Sequence, residues 1–295
     1  MSNYSFSFLQ NKISKKWVIS APKRAKRPDI ANGTEPPCPF CPGKEGDEEE
    51  YYRIGGENGD THWKVRVIPN KFPFTPHHEL VLNSPDHHIS FDEFSVDQIN
   101  LIFQAYKHRF NEHHHKGQVY IFHNHGQKAG ESIPHSHTQV AVVPEKVYLD
   151  LPRLQNVSQD EKNAVESKHF FVFCPHFSVW PDEVWIAPKR KGLLFGEINK
   201  DEIDDLSGVF STLIKIMTAR HGGEFPYNFY IYPGGDWYMR LIPREKVTGG
   251  FEVGTGVFVN TQNPQETMEF LKEHFKEPNF EKIKKEHQAD YHRGS

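Results

Sequence analysis

Pro134-His135-Ser136-His137-Thr138-Gln139-Val140-Ala141-Val142-Val143 reads as a strand whose opening carries polar side chains at alternate positions. At an offset of 103 residues, which carries His137 onto Arg240 and Pro85 onto Pro188, Trp237-Tyr238-Met239-Arg240-Leu241-Ile242-Pro243 has the same strand character. The surroundings repeat as well. In the first half a strand-like run, Glu79 to Leu82, precedes Pro85. A helix follows, with Ile99, Ile102, Phe103, Tyr106 and Phe110 on one face and with Ser95 and Gln98 spaced as a capping box. Val119-Tyr120-Ile121-Phe122 then leads into a glycine-containing loop. In the second half Glu183 to Ile186 precedes Pro188, a helix carries Ile203, Leu206, Val209, Leu213 and Met217, and Tyr227 to Ile231 follows. Two tandem units of mainly antiparallel sheet with helices packed on it are predicted, an α+β fold divided into residues 1–160 and 161–295. The polar stretch from Lys146 to Ser167 is the expected connection. A further helix starts at Asn263, with Pro264 in its first turn and Glu266 completing the cap, and the charged chain beyond it is expected to fray.

Composition narrows the function classes. A chain of 295 residues with 36% hydrophobic and 25% charged residues has the make-up of a soluble globular protein. Its net charge of -4 gives no electrostatic case for nucleic acid or anionic membrane, although Lys23, Arg24, Lys26 and Arg27 crowd together. No run approaches the roughly 20 apolar residues of a membrane span, and the first residues lack a signal-peptide core, so a cytoplasmic location is expected. Three cysteines cannot all pair. The spacing Cys38-Pro-Phe-Cys41 favours a metal over a disulfide in such a chain, with a buried thiol pair or a redox motif as alternatives.

The two copies are chemically unequal, since Arg240 and Ile242 stand where His137 and Gln139 stand in the first. A fold needs similar packing in both units but a reaction needs one site, so the chemistry is assigned to the first copy. Side chains two apart on a strand share a face, which groups His135, His137 and Gln139. Polar-face strands are common, and this alternation alone decides little. The preceding segment, Asn124-His125-Gly126-Gln127-Lys128-Ala129-Gly130-Glu131-Ser132, adds glycines and a serine able to bring backbone N–H groups close to a phosphate. An imidazole beside such a loop can attack an α-phosphate while N–H and cationic groups hold the developing charge. Other histidines are given no role: His113-His114-His115 is read as a solvated turn, and His77, His78, His88, His123 and His125 as surface or packing residues. Cys174 is read as a buried free thiol.

Gly130-x-Ser132-x-Pro134-His135-x-His137-x-Gln139 resembles the signature of the galactose-1-phosphate uridylyltransferase family, a branch of the histidine-triad superfamily. Four further stretches follow the family's pattern in order. Ser20-Ala-Pro-Lys-Arg24-Ala-Lys-Arg27-Pro28 comes first, then Cys38-Pro-Phe-Cys41-Pro-Gly43. Val65-Arg-Val-Ile-Pro-Asn70-Lys-Phe-Pro73 and Ser84-Pro-Asp-His87 complete the series. The resemblance implies His137 as the nucleophile and Gln139 as the hydrogen-bond donor to its phosphate oxygens. It implies Gly130 and Ser132 as phosphate-loop positions, Arg24 and Arg27 as phosphate-binding arginines, and Asn70 and Asn124 as residues lining the nucleotide site. Cys38, Cys41, His87 and His135 match a closed Cys₂His₂ zinc site, structural in type, and fixing His135 also fixes the strand that presents His137.

The expected activity is ping-pong transfer of UMP or AMP, through a covalent nucleotidyl-His137, between a UDP- or ADP-hexose and a hexose 1-phosphate. One segment departs from the uridylyltransferases. In Gly249-Gly250-Phe251-Glu252-Val253-Gly254-Thr255-Gly256-Val257, the small residues Gly250, Thr255 and Gly256 replace a lysine, a tyrosine and a glutamate, while Gln262 keeps one sugar contact. The segment is similar to the ADP-glucose phosphorylase branch, so a phosphorylase using inorganic phosphate is the alternative. A histidine-triad hydrolase and a non-enzymatic nucleotide sensor are weighed beside it. The resemblance further implies a homodimer. No metal site is expected in the second copy, where Ile242 has no ligand atom.

Overall fold

The protein is described here from a computed structural model, which defines residues 6–26, 38–156 and 163–294. Strands form where β-branched and aromatic residues alternate with the pleat. In the first half these are β3 (Tyr52–Ile54), β4 (Val65–Pro69), β5 (His78–Leu82), β6 (Gln118–His125) and β7 (His137–Val143). In the second they are β8 (Val165–Glu166), β9 (Phe170–Phe173), β10 (Val184–Pro188), β11 (Tyr227–Ile231) and β12 (Met239–Pro243). All ten join one antiparallel sheet in the order β3-β4-β5-β7-β6-β11-β12-β10-β9-β8. The order is a palindrome about the β6–β11 junction, where Tyr227 pairs with His125 and Ile231 with Ile121. The predicted repeat therefore appears as two units sharing a continuous sheet. A small hairpin of β1 (Ser7–Gln10) and β2 (Trp17–Ser20) lies outside it.

Helices α1 (Val96–His113) and α2 (Lys200–Arg220) pack on one face of the sheet and against each other. Their predicted apolar stripes are buried, with Ile99, Ile102, Phe103, Leu206 and Leu213 fully enclosed beside Val140 and Val142 of β7. Alternation along β7 thus sends Val140 and Val142 to the helices and His137 and Gln139 to the opposite face. The α1 cap is only half of a capping box. Ser95 Oγ accepts from the Gln98 N–H, but the Gln98 amide donates instead to the carbonyls of Lys64 and Asn83, tying the helix start to the sheet. A complete box forms at α2 between Asn199 and Glu202.

The chain ends in α3 (Gly250–Thr255), α4 (Pro264–His274), capped by Asn263 as expected, and α5 (Phe280–Gly294), which packs on α2. His113 corrects the reading of a solvated turn: it is buried, its Nε2 2.6 Å from Glu79 Oε1, where Arg109 also forks onto the same carboxylate. His114 and His115 are exposed. Cys174 is a free thiol but only half-buried. No described helix is long and apolar enough to cross a membrane.

Candidate active site

The site lies on the helix-free face, where β5, β7 and β6 end beside the loop after β6. His135 precedes β7 rather than belonging to it, so its ring turns out toward Cys38 and Cys41 while His137 opens the strand. Cys38 Sγ is 3.6 Å and Cys41 Sγ 3.8 Å from His135 Nδ1, and Cys41 Sγ is 3.4 Å from His87 Nδ1. Zinc–sulfur bonds of about 2.3 Å and zinc–nitrogen bonds of about 2.0–2.1 Å put the sulfur–nitrogen edge of a tetrahedron near about 3.6 Å. The four side chains therefore sit at the spacing of a metal's ligands, all four ligand atoms lying within 4.8 Å of one another. The donor set fits in a second way. His135 Nε2–H donates to the Ser84 carbonyl at 2.7 Å, which leaves Nδ1 as the ligating nitrogen. Burial holds this imidazole below its ordinary value and pushes the Cys38 thiol up to about 11, so thiolate character there calls for a cation.

His137 is buried, and its Nδ1–H donates to the His135 carbonyl at 2.9 Å. That bond assigns a proton to Nδ1, so the lone pair of the neutral ring lies on Nε2. Phe40, inside the Cys38-Pro-Phe-Cys41 turn, packs against both imidazoles, with ring centroids 5.3 Å from His137 and 6.0 Å from His135. Behind the strand, the fully buried His123 donates from Nδ1 to the His137 carbonyl at 2.9 Å, and burial keeps it well below the usual imidazole range, hence neutral.

Gln139 is oriented by His78, a residue that the sequence reading passed over. Phe74 N–H donates to His78 Nδ1 at 3.3 Å, so the ring proton sits on Nε2 and donates to Gln139 Oε1 at 3.0 Å. With Oε1 so engaged, the Gln139 amide presents its N–H₂ as a donor. Asn70 Nδ2 lies 3.1 Å from the same His78 nitrogen, its Oδ1 accepting from Phe72 N–H. Arg24, in the 3-10 turn Pro22–Lys26, donates to the Phe72 carbonyl at 2.6 Å and lies over the Phe74 ring, which brings it to the same edge of the site. Arg27 lies outside the described residues.

The loop Gly126–Glu131 is closed on itself, with Glu131 Oε2 accepting from Gly126 N–H at 2.8 Å and Gly130 in the left-handed region at φ 85°. Burial, with the nearby Glu224 charge adding, pushes the Glu131 carboxyl up to about 7. Asn124 donates to the Gly130 carbonyl at 3.4 Å. Ser132 is half-buried in the chain leading from this loop to His135. The structure thus gathers His137, Gln139, Asn70, Asn124, Arg24 and the Gly130–Ser132 loop with the Cys₂His₂ cluster. Gln262 is not gathered there: both ends of its amide engage Asp182, accepting from its N–H at 2.6 Å and donating to Oδ1 at 2.9 Å. In the second unit Arg240 forks onto Glu183 at 2.7 and 2.8 Å and reaches the Tyr230 hydroxyl at 3.0 Å.

A tandem antiparallel sheet, helices on one face and a histidine-bearing strand on the other define a fold of the histidine-triad type. The sequence pattern of the galactose-1-phosphate uridyl transferase N-terminal domain matches residues 74–143, which span the nucleophile strand and its neighbours. The chain is 28% identical to ADP-glucose phosphorylase of Arabidopsis thaliana over 92% of its length and 94% of that protein. It is 26% identical to galactose-1-phosphate uridylyltransferase of Thermotoga maritima, over 89% and 96%. The crystal structure of the Arabidopsis thaliana ADP-glucose phosphorylase with bound ADP-glucose superposes with a TM-score of 0.71 at 26% identity, covering 91% of this chain and 99% of that one. A uridylyltransferase structure at 21% identity shares the fold with a TM-score of 0.74, over 90% and 97%. The protein is thus similar to galactose-1-phosphate uridylyltransferases and to ADP-glucose phosphorylase.

Proposed function

We propose that this protein is a nucleotidyltransferase acting on nucleotide sugars, and that it works through a covalent nucleotidyl-His137. The observation that carries the reading is the bond from His137 Nδ1–H to the His135 carbonyl, which puts the lone pair of the neutral ring on Nε2. Nε2 attacks the α-phosphorus of a UDP- or ADP-hexose. The P–N bond forms, the phosphoanhydride breaks, and hexose 1-phosphate leaves with the electron pair. An oxygen of an acceptor phosphate then attacks the same phosphorus, and the P–N electrons return to the imidazole. Gln139, held by His78, donates to the phosphoryl oxygens; Arg24, Arg27 and the Gly130–Ser132 loop hold the charge that develops on them, with Asn70 and Asn124 beside the nucleotide. Zinc on Cys38, Cys41, His87 and His135 supplies a rigid, closed anchor rather than a reacting centre.

The acceptor is a hexose 1-phosphate on the first reading, although Gln262, the sugar contact that the family resemblance implies, has both ends of its amide on Asp182. A specific observation favours inorganic phosphate as a second reading. Gly250, Thr255 and Gly256 lie in or beside the exposed α3, whose one ionisable side chain is Glu252. A homodimer is part of the proposal, supported by the exposed apolar run of Val247, Phe251, Val253, Val257, Phe258 and Val259 around that helix. A cytoplasmic location is proposed with it.

Phosphorus NMR on UDP- and ADP-sugars, each with phosphate, glucose 1-phosphate and galactose 1-phosphate, tests the reading. Ping-pong kinetics are expected, with poor discrimination between the two hexose phosphates, since the groups that would tell them apart are missing. His137→Gly should abolish turnover. Ordinary turnover in His137→Gly, or a galactose 1-phosphate preference above about a hundredfold, would overturn respectively the mechanism and the acceptor reading.

A further inference from the structure

Arg244 stands one residue beyond β12, in the second unit, yet it belongs to the first unit's site. The register explains how. His123 pairs with Thr138, which places Asn124 beside His137; Asn124 pairs with Asn228 of β11, and Asn228 pairs with Ile242. Arg244, two residues past Ile242, lies one row further along on the same face, its N–H donating to the Pro226 carbonyl at 2.7 Å. Its Nη1 donates to Asn228 Oδ1 at 3.3 Å. Asn228 in turn donates from Nδ2 to Asn124 Oδ1 at 2.9 Å and to the Ala129 carbonyl at 2.8 Å, inside the glycine loop. The guanidinium is clamped from the other side by Trp180, with its carbon 4.5 Å from the ring centroid.

What sets Arg244 apart is the company it lacks. Four arginines buried or half-buried elsewhere each have a carboxylate: Arg66 has Glu50, Arg109 has Glu79, Arg220 has Asp182 and Arg240 has Glu183. Among the described residues no carboxylate forms an ion pair with Arg244, and its sequence neighbour Glu245 is engaged with Lys128 at 3.6 Å. Its Nε is buried without a hydrogen-bond partner. Burial, with no anion to oppose it, holds this guanidinium below its ordinary value. A desolvated cation with an open fork of donors is unfavourable until an anion arrives, and its planar geometry suits a phosphate.

Resting on the nucleotidyl-transfer reading, we propose that Arg244 binds the second phosphate of the substrate. This group is the β-phosphate of the nucleotide sugar, which leaves as a sugar phosphate and whose subsite the acceptor phosphate then occupies. The location fits that group better than the α-phosphate. With strands about 4.8 Å apart, Asn228 lies roughly 10 Å along the sheet from His137, the reach of the next phosphate rather than of one bonded to Nε2. Arg244 also precedes the segment in which Gly250 replaces a lysine, so the second unit would provide the cation from β12 instead.

Binding of diphosphate against monophosphate separates this role from a structural one. Titration calorimetry on the full chain with ADP and AMP, and with UDP and UMP, needs no turnover. In Arg244→Gln, with its melting temperature checked against the wild type, diphosphate affinity should fall about 10- to 100-fold while monophosphate affinity stays within about twofold. Arg244→Lys, keeping the charge without the fork, should fall between. An unchanged diphosphate affinity, an equal loss for the monophosphate, or wild-type protein that binds neither diphosphate overturns the assignment. Parallel KM values for inorganic phosphate and glucose 1-phosphate identify the physiological source of the group: a rise for both reports the phosphoryl dianion itself, and a rise for the sugar phosphate alone reports a subsite shaped by the sugar. Diphosphate binding that depends on Arg244 in a protein forming no nucleotidyl-His137 would sink the transfer reading and leave this one standing.

Discussion

The main-chain carbonyl of His135 accepts from His137 Nδ1 at 2.9 Å, while the ring of His135 faces Cys38 and Cys41 through its own Nδ1. One residue therefore joins the Cys₂His₂ cluster, a candidate metal site, to the tautomer of the proposed nucleophile, and Phe40 packs against both imidazoles. Removing the ion should loosen the His135 backbone before it disturbs any group that touches substrate. Cys38→Ser with Cys41→Ser should lose zinc by elemental analysis and lower the melting temperature. It should cut kcat on the order of 10- to 100-fold, as losses around a metal's supporting shell commonly do, with a smaller change in KM. A folded, metal-free double variant with full kcat would show that the cluster does not position His137.

Glu131 gives the protein a measurable pH signature. Its folded pKa of about 7 stands above the ordinary 4.5, chiefly from burial. Between those values the native state holds a proton that the unfolded chain has released, so this carboxyl lowers stability as pH rises from 4.5 to 7. The contribution is at most on the order of 3 kcal/mol. Glu131→Gln keeps an acceptor for Gly126 N–H and removes the titration. The variant should match the wild type near pH 4.5 and exceed it in stability at pH 8, by denaturant unfolding at several pH values. Parallel stability curves for the two proteins would refute this.

The duplicated pattern, the helix faces and the Cys38-x-x-Cys41 pair were legible in the sequence because each rests on spacing along the chain, whereas His87 and His135 were added to that pair only by the family resemblance. Pro85 and Pro188, or Cys38 and Cys41, announce themselves without tertiary information. His78 and Arg244 did not, for a physical reason. What gives His78 its role is the register of β5 on β7, which sets Leu80 opposite Gln139. What gives Arg244 its role is the absence of a carboxylate, a property of the packed protein and not of any motif. His113 was misread for the same cause, since Glu79 approaches it only once α1 lies on β5.

In the second unit, the position that matches His137 holds a buried ion pair. Glu183, fully buried, takes both forks of Arg240 and also accepts from Trp185 Nε1 at 2.7 Å. Removing one partner strands the other charge. Glu183→Leu alone should cost about 3–5 kcal/mol by chemical denaturation, and Glu183→Leu with Arg240→Met should recover most of it. An additive loss in the double variant would show that the pair acts through packing rather than charge.

His78 acts on Gln139 through a single bond, its Nε2–H donating to Oε1 at 3.0 Å, and the amide's donor end is left to meet the phosphoryl oxygens. If that orientation is its contribution, His78→Ala should lower kcat by about tenfold, the worth of one well-placed charge-assisted donor. The same substitution in a Gln139→Ala background should cost almost nothing further in kcat, because the residue it orients is gone. A structural defect would behave otherwise, lowering activity by a similar factor in both backgrounds. His78→Gln offers an amide N–H to the same oxygen and should restore part of the rate. The cycle is read in kcat for nucleotidyl transfer, with zinc content and melting temperature measured on each variant. Coupling below about 0.5 kcal/mol would place His78 in the packing of the site and not in its chemistry.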